Sequence, residues 1–247
     1  MRDDSLAPEI EAAVAGIRDD LQAAYEAREQ ALPLARNAIR FAATCIRAVH
    51  RRELERAEEL LEQCRAAVTE ATEALLDYPQ ILHAGFVHDA QKEYAEASAT
   101  LALVAGWPLP LPDALGVGGP AYLHGLSETV GELRRLLLDA LRRGAIDECE
   151  HTLQQMDDIY SMLVTVDYPD AMTGNLRRST DAARAILERT RGDYTLAVQQ
   201  ERLARKIDGL QPDVSRREPV PIADFVTIAV GRARSLVYSP VQFCTCR

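Results

Sequence analysis

The sequence is poor in several features that would define a class of protein at once. Aromatic residues make up only 5% of the 247 residues, and no apolar run is long enough to span a membrane. Basic residues are also relatively few, because 38 acidic side chains outnumber 28 basic ones and give a formal net charge of -10. This balance excludes a general electrostatic attraction to nucleic acid, so any nucleic-acid site has to be a local basic patch.

Cysteine is scarce and scattered. Cys45, Cys64 and Cys149 stand singly within helical patterns, where a buried free thiol is expected, and Cys244 and Cys246 form an isolated CxC. An odd number of cysteines at irregular spacing favours a reducing compartment. The first five residues lack the apolar segment of a secretory signal. We therefore expect a cytoplasmic protein without membrane association.

Strand signals are missing from residues 1–207, which show neither period-two alternation nor runs of β-branched residues. Apolar residues instead recur every three or four positions among abundant Ala, Leu, Glu and Arg, which is typical of helices. Helices are predicted to begin near Ser5, Leu34, Pro79, Tyr122, Asp147, Leu176 and Tyr194, with breaks at Pro33 and at Gly192-Asp193. The Pro/Gly-rich loop after Gly106 lacks GxGxxG spacing and a preceding strand, which excludes a phosphate loop.

The chain is therefore predicted to be all-α, with about six to seven long helices over residues 1–209. The composition changes beyond Gly209, where four prolines are interspersed with Val, Ser, Thr and Arg. We expect residues 210–247 to form a Pro-rich C-terminal tail that is disordered or only loosely docked.

Acidic residues interrupt two apolar helical stretches. Asp89, Glu93 and Glu96 are spaced four and three apart, and Glu128 and Glu132 are four apart, so each set shares one helix face. If the two faces met across a bundle, the carboxylates would repel one another unless protons or a divalent metal neutralised them. The alternative is that both sets are ordinary solvated helix faces, which are common at this spacing.

Basic residues form one stripe on a predicted helix. Its members are Arg36, Arg40, Arg47 and Arg51, at spacings of four, seven and four. Because guanidinium groups bind phosphate through paired hydrogen bonds, the stripe is a candidate track for a nucleic-acid backbone. A solvated face paired with acids is an equally open alternative. Acidic residues follow from Glu53, which predicts a bend near His50 to Arg52, and His50 is expected to be a capping or surface residue rather than a ligand.

Three stretches carry a family resemblance through their order and spacing. They are residues 46–51 (IRAVHR), 91–97 (QKEYAEA) and 122–133 (YLHGLSETVGEL). The second is similar to the catalytic helix of TRAX and the third to the next long helix of the translin family, while Asp167-Tyr168-Pro169 and Leu176-Arg177-Arg178 fall where that family begins its penultimate helix. The chain thus resembles the translin family over residues 10–207, and in particular its TRAX-like members and their prokaryotic relatives.

The resemblance implies an antiparallel α-helical bundle that assembles into a hollow oligomer, typically an octamer, from one chain or together with a paralogue. It implies binding of single-stranded RNA and DNA and, for TRAX-like subunits, Mg²⁺-dependent endoribonuclease activity. Matched by motif position, the catalytic and metal-binding acids are Glu93, Glu96, Glu128 and Glu132. Glu128 stands where TRAX has an aspartate, so its side chain is one methylene longer.

Hydrolysis of a phosphodiester needs an activated oxygen nucleophile and neutralisation of the negative charge on the phosphate. Carboxylates could hold Mg²⁺, or alternatively Mn²⁺, for this purpose, with Asp89 as a supporting acid. Three other interpretations stay open. They are a non-catalytic single-stranded nucleic-acid-binding oligomer, a ferritin-like di-metal bundle, and a purely structural helical scaffold. The ferritin-like architecture uses Glu-x-x-His pairs, whereas this sequence has only His124 and Glu128 in the reverse order.

Overall fold

The computed structural model describes residues 7–83 and 85–215, and every regular element within them is helical. Six of these helices are long: α1 (Ala7–His50), α2 (Leu54–Glu73), α4 (Gly85–Ala105), α6 (Gly119–Arg142), α7 (Cys149–Val164) and α9 (Leu176–Ser215). The single turns α3 (Pro79–Leu82), α5 (Pro112–Leu115) and α8 (Asp170–Thr173) and a 3-10 turn (Ile146–Glu148) lie between them. The prediction of an all-α fold is confirmed. None of these helices is both long and apolar enough to cross a membrane.

The chain divides into two compact units, Met1–Ala197 and Val198–Arg247. The first contains α1 to α8 and the start of α9, and the described part of the second continues α9 to Ser215. The tail predicted for residues 210–247 begins inside this helix, and from residue 216 onward it lies outside the described residues. Its separate character remains a prediction, and Cys244 and Cys246 also lie outside the described part.

The core of the first unit is built on small side chains. Ala35, Ala38, Ala42 and Cys45 of α1 are at most 1% exposed and pack in one cluster with residues of α2 and α4. Small residues allow helix axes to approach closely, so the apolar face of α4 is held against α1 and α2. Cys45, Cys64 and Cys149 are buried free thiols, as predicted.

A second apolar cluster joins α6, α7 and the beginning of α9. It contains Val130, Leu133, Met156, Leu163 and Leu187, each at most 2% exposed. Burial of these large side chains supplies most of the driving force for this side of the bundle. Because α6 is fixed by this cluster and α4 by the first, the facing sides of α4 and α6 are set by packing on both flanks.

The predicted break at Pro33 is wrong, since α1 runs through it without interruption. A proline inside a helix removes one backbone hydrogen bond and costs about 3 kcal/mol. Ala31 and Ala35, on either side of Pro33, are 0% and 1% exposed and pack into two apolar clusters. Tertiary packing on both sides therefore keeps the helix continuous.

The predicted division at Gly192-Asp193 is also wrong, because α9 continues across both residues. Arg134 of α6 donates hydrogen bonds to Thr190 Oγ1 at 2.8 Å and to Asp193 Oδ2 at 2.7 Å. These two acceptors lie one turn apart on α9 and bracket Gly192. The bridge offsets the roughly 1 kcal/mol by which glycine weakens a helix.

The bend predicted between His50 and Arg52 is confirmed. α1 ends at His50, Arg52 has a left-handed φ of 63°, and α2 begins at Leu54. The helix predicted from Pro79 is divided instead into the single turn α3 and the long helix α4. The bend after His50 and the single turn α3 both help to bring α4 alongside α1.

Candidate active site

Three of the four acids predicted to be catalytic lie together between α4 and α6. Glu93 and Glu96 of α4 and Glu128 of α6 each offer one carboxylate oxygen, and these three atoms lie within 4.8 Å of one another. We call these residues the three-glutamate cluster. Asp89 lies apart from it, exposed and 4.0 Å from His88 Nδ1.

A glycine sets the distance between the two helices that carry the cluster. A Cβ atom on Gly125 of α6 would lie 2.8 Å from Ala95 Cβ, 2.8 Å from the Lys92 carbonyl oxygen and 2.9 Å from the Glu96 backbone nitrogen. These separations are too short for any side chain, so only glycine permits this approach. At Gly125, α6 therefore lies directly against the backbone of α4, at the level of the acids.

Glu96 is the most deeply placed member of the three-glutamate cluster, at 7% exposure. Burial raises the pKa of its carboxyl to about 8, and the negative charges of Glu128, Glu93 and Glu132 act in the same direction. Near neutral pH and without a bound cation, Glu96 therefore carries a proton. That proton removes one of the three negative charges that would otherwise repel one another.

Lys92 supplies the positive charge of the cluster. Its ammonium donates to Glu128 Oε2 at 2.6 Å and lies 3.0 Å from Glu93 Oε1, although only 18% of the side chain is exposed. Burial opposes its charged form, but the hydrogen bonds and negative charges of the two glutamates outweigh burial and raise the pKa of Lys92. In the sequence, Lys92 stood out only as part of the motif at residues 91–97, and its pairing with the two glutamates was not predicted.

The fourth predicted acid, Glu132, is held by a different partner. His50 at the end of α1 donates from Nε2 to Glu132 Oε2, and the Arg135 guanidinium lies 3.9 Å from the same oxygen. The hydrogen bond from His50 lowers the pKa of the Glu132 carboxyl; burial opposes this, and the charges of His50 and Arg135 reinforce it. Glu132 is thus an ionised carboxylate beside the three-glutamate cluster but outside it.

The expectation that His50 is a capping or surface residue is wrong, since its side chain is only 6% exposed. Its contact with Glu132 joins residues 82 positions apart, a pairing that helical periodicity within one segment does not reveal. The sequence feature that could have indicated this contact is the position of His50 at the end of the arginine-bearing helix, directly before the predicted bend.

The arrangement suits a hard divalent cation. Its donors are all carboxylate oxygens, which Mg²⁺ and Mn²⁺ prefer. Opposite ligands of an octahedral Mg²⁺ lie about 4.2 Å apart, so small side-chain rotations would bring oxygens within 4.8 Å into range. In the cation-free protein the Lys92 ammonium lies against Glu93 and Glu128, and Glu96 is protonated, so the negative charge of the cluster is already partly neutralised.

His124 does not join a metal site. Its Nε2 donates to the Thr173 carbonyl at 2.9 Å, which leaves Nδ1 to accept from the Ser179 hydroxyl at 2.9 Å. Both ring nitrogens are thereby used in holding α6 against α8 and the start of α9. The ferritin-like interpretation, which would need a histidine ligand, therefore has no support in the described residues.

The predicted arginine stripe lies on the surface of α1 and in the turn after it. Its members Arg36, Arg40, Arg47 and Arg51 are all exposed. None of them forms an ion pair with an acid in the described part of the chain; Arg47 donates to the Thr44 hydroxyl at 2.8 Å, and Arg40 lies over the Phe41 ring at 5.4 Å. The alternative of a face neutralised by acids is therefore not what the described structure shows.

Comparisons with known proteins agree with this architecture. No family model matches the sequence. An uncharacterised protein of Methanocaldococcus jannaschii is 29% identical over 195 residues, which cover 76% of this chain and 84% of that protein. AfC3PO, solved in a complex with duplex RNA, is 30% identical with a TM-score of 0.70, and the match covers 76% of this chain and 97% of that chain. The crystal structure of AfC3PO by itself gives the same identity and a TM-score of 0.69.

A more distant structure shares only the fold. The crystal structure of apo-NeC3PO is 20% identical, with a TM-score of 0.67 over 74% of this chain and 96% of that one. Fold and site together define a helical-bundle protein with an acidic cluster between two core helices. The identity to AfC3PO over nearly the whole of that chain gives this class its name: the protein belongs to the translin family.

Proposed function

We propose that the protein is a TRAX-like, Mg²⁺-dependent endoribonuclease that works as an oligomer. The observation that carries the proposal is the three-glutamate cluster, in which α4 and α6 bring three carboxylate oxygens within 4.8 Å of one another. Glu96 is buried, Glu93 half-buried and Glu128 exposed, and holding a buried carboxyl beside two like charges is costly unless a cation or proton neutralises them. A purely structural role would be served better by an apolar residue at the buried position of Glu96.

Glu93, Glu96 and Glu128 would hold the cation, with Mn²⁺ as an alternative to Mg²⁺. When bound, the cation supplies positive charge that stabilises the phosphate oxygens and makes water a stronger nucleophile. Glu96 would lose its proton and Lys92 would leave at least one of its two glutamates. Glu132, already ionised and held by His50, stays available for proton transfer.

The proposed substrate is RNA, and the exposed stripe Arg36, Arg40, Arg47 and Arg51 would bind its backbone. AfC3PO has been solved with duplex RNA, and the resemblance in sequence motifs implies binding of single-stranded RNA and DNA. Because these arginines have no acidic partner among residues 7–83 and 85–215, their charge is not neutralised there and can engage phosphate. The proposed assembly is a homo-octamer, or a hetero-oligomer with a paralogue, in the cytoplasm.

The alternative function is an RNA-binding oligomer without catalysis. Lys92 is the observation that favours it, because its ammonium already bonds two of the three cluster glutamates. In that case the pocket would be a closed charge network in which Lys92 takes the place of a metal. The two functions differ in whether Mg²⁺ enters the cluster and whether RNA is cut.

A circular RNA tests the proposal directly, because it has no ends and only an endonuclease can convert it into linear product. The purified protein would be incubated with labelled circular single-stranded RNA, duplex RNA and circular DNA, each with Mg²⁺, Mn²⁺ or a chelator. We expect linear RNA products with either metal, none with chelator, and none with Glu96→Gln. Asp89→Asn, which removes an acid of α4 outside the cluster, is the control and should cut normally. RNA that is bound but uncut in Mg²⁺ would establish the non-catalytic alternative.

A further inference from the structure

The proposed three-ligand site assigns no role to His50, whose side chain is only 6% exposed. Its ring lies at the junction of α1 and α6, and its Nε2 donates to Glu132. A carboxylate only accepts hydrogen bonds, so Nε2 must carry a proton. The other ring nitrogen, Nδ1, is buried and has no hydrogen-bond partner among the described residues. The ring is therefore fixed by packing and by a single polar contact.

The position of Glu132 makes its hydrogen bond with His50 relevant to the three-glutamate cluster. Glu132 lies one helical turn after Glu128 on α6, and its charge reaches Glu96. The carboxylate is nevertheless outside the three-glutamate cluster, and its Oε2 is taken by His50. One oxygen is thus used for orientation, and Oε1 has no hydrogen-bond partner among the described residues.

We propose that His50 is a positioning residue that acts through Glu132: it fixes this carboxylate beside the three-glutamate cluster, where Glu132 accepts the proton of the attacking water. The proposal rests on the nuclease function proposed above. The water oxygen forms a bond to phosphorus while one P–O ester bond breaks, and its electron pair stays on the departing oxygen. The water proton goes to Glu132, and the departing oxygen takes a proton from solvent.

Two amides of different length test which nitrogen matters. In His50→Gln the amide nitrogen reaches as far as Nε2 and can still donate to Glu132. In His50→Asn it reaches only as far as Nδ1, which has no partner. We expect His50→Gln to cleave RNA within a few-fold of the wild type and His50→Asn to lose about 10- to 100-fold in kcat. RNA KM and the affinity for Mn²⁺, measured by electron paramagnetic resonance, should stay within about twofold, because the cation ligands are untouched.

A double variant shows whether His50 acts through Glu132. Glu132→Gln alone should lower kcat by about 100-fold or more, and His50→Asn/Glu132→Gln should be no slower than Glu132→Gln. Losses that multiply, or equal activity of the Gln and Asn variants at position 50, would overturn the proposal. A weakened affinity for Mn²⁺ in His50→Asn would also overturn it, since it would place Glu132 among the ligands.

A spectroscopic measurement keeps the test independent of activity and of how well the His50 variants fold. Long-range ¹H–¹⁵N spectra report which nitrogen of each histidine is protonated, and His50→Gln assigns the His50 signals. We expect a proton on Nε2 in the wild type and a changed His50 pattern in Glu132→Gln. A Nδ1–H tautomer, or a His50 signal indifferent to Glu132→Gln, refutes the pairing. An inactive wild type with the expected His50 pattern would instead refute the nuclease function and leave the His50–Glu132 pair standing.

Discussion

The Lys92 ammonium of α4 donates a hydrogen bond to the Glu128 carboxylate of α6 at 2.6 Å. The two residues come from different helices, and the same ammonium lies 3.0 Å from Glu93. The acidic pocket therefore contains a cation of its own when no metal is bound. A divalent cation that enters the pocket has to compete with this side chain for the same oxygens.

Lys92→Met should tighten cation binding and weaken the cation-free protein. Without the ammonium, Glu93 and Glu128 lose their shared partner, and we expect the unfolding free energy in chelator to fall by about 1–3 kcal/mol. The concentration of Mg²⁺ that half-saturates the rise in Tm should fall by up to about tenfold. Thermal unfolding across a Mg²⁺ titration measures both effects. Lys206→Met removes an exposed lysine of α9 and is the matched control; a Lys92→Met protein that binds Mg²⁺ more weakly would contradict the competition.

Glu96 should make the cation-free protein lose stability as the pH rises. Its pKa is raised from 4.5 to about 8 by burial and by neighbouring acids, so the folded state binds more protons than the unfolded state between these values. Stability then falls as the pH rises through this window, by roughly 2–4 kcal/mol in total. Denaturant unfolding in chelator at pH 5 and pH 9 measures the fall. The neutral Glu96→Gln variant should show a much smaller decline, and equal slopes for both proteins would refute the assignment.

Gly125→Ala should force the two acidic helices apart. The added Cβ would meet Ala95 Cβ and the Lys92 carbonyl at 2.8 Å, and we expect a loss of about 1–3 kcal/mol in stability together with weaker Mn²⁺ binding. Gly131→Ala on the same helix is the matched control, because its Cβ would meet only Ile186 Cδ1 at 3.9 Å. That substitution should be neutral or stabilise α6 by up to about 1 kcal/mol. Similar cation affinities for the two variants would show that helix spacing does not control the pocket.

Removal of the arginine stripe should weaken RNA binding in a salt-dependent way. In a Glu96→Gln background, replacing Arg36, Arg40, Arg47 and Arg51 with Gln should make the slope of log K against log salt shallower by up to about 2.8 for single-stranded RNA. Fluorescence anisotropy at several salt concentrations gives this slope. A control variant loses the same charge through Gln at Arg56, Arg65, Arg184 and Arg191, which are ion-paired. Equal slopes for the two variants would remove the stripe from the binding surface.

Local spacing in the sequence was sufficient for the helices and for the two acidic faces. Residues three and four apart share a helix face, and this alone places Glu93 beside Glu96 and Glu128 one turn from Glu132. The breaks expected at Pro33 and Gly192 did not occur, because packing around Ala31 and Ala35 and the Arg134 bridge override local preference. Single-residue propensities carry no information about such distant partners.

The partners that complete the site depend on which helices meet. His50 and Glu132 are 82 positions apart, and Lys92 and Glu128 are 36 apart. A histidine before a bend and a lysine beside a glutamate are unremarkable in isolation, so their roles follow only from the tertiary arrangement. Gly125 is the sequence feature that best indicates where two helices meet, since a glycine inside an apolar helix often marks a close approach of backbones.

Because of the glycine at position 125, a single point mutation is enough to disturb the three-glutamate cluster. Glycine and alanine codons differ by a single base, so one point mutation would insert a methyl group where α4 and α6 touch. Alanine favours helix more than glycine does, so each helix would survive the change while the three carboxylates moved apart. A single substitution at this codon would therefore disturb the cluster without changing any of its acids.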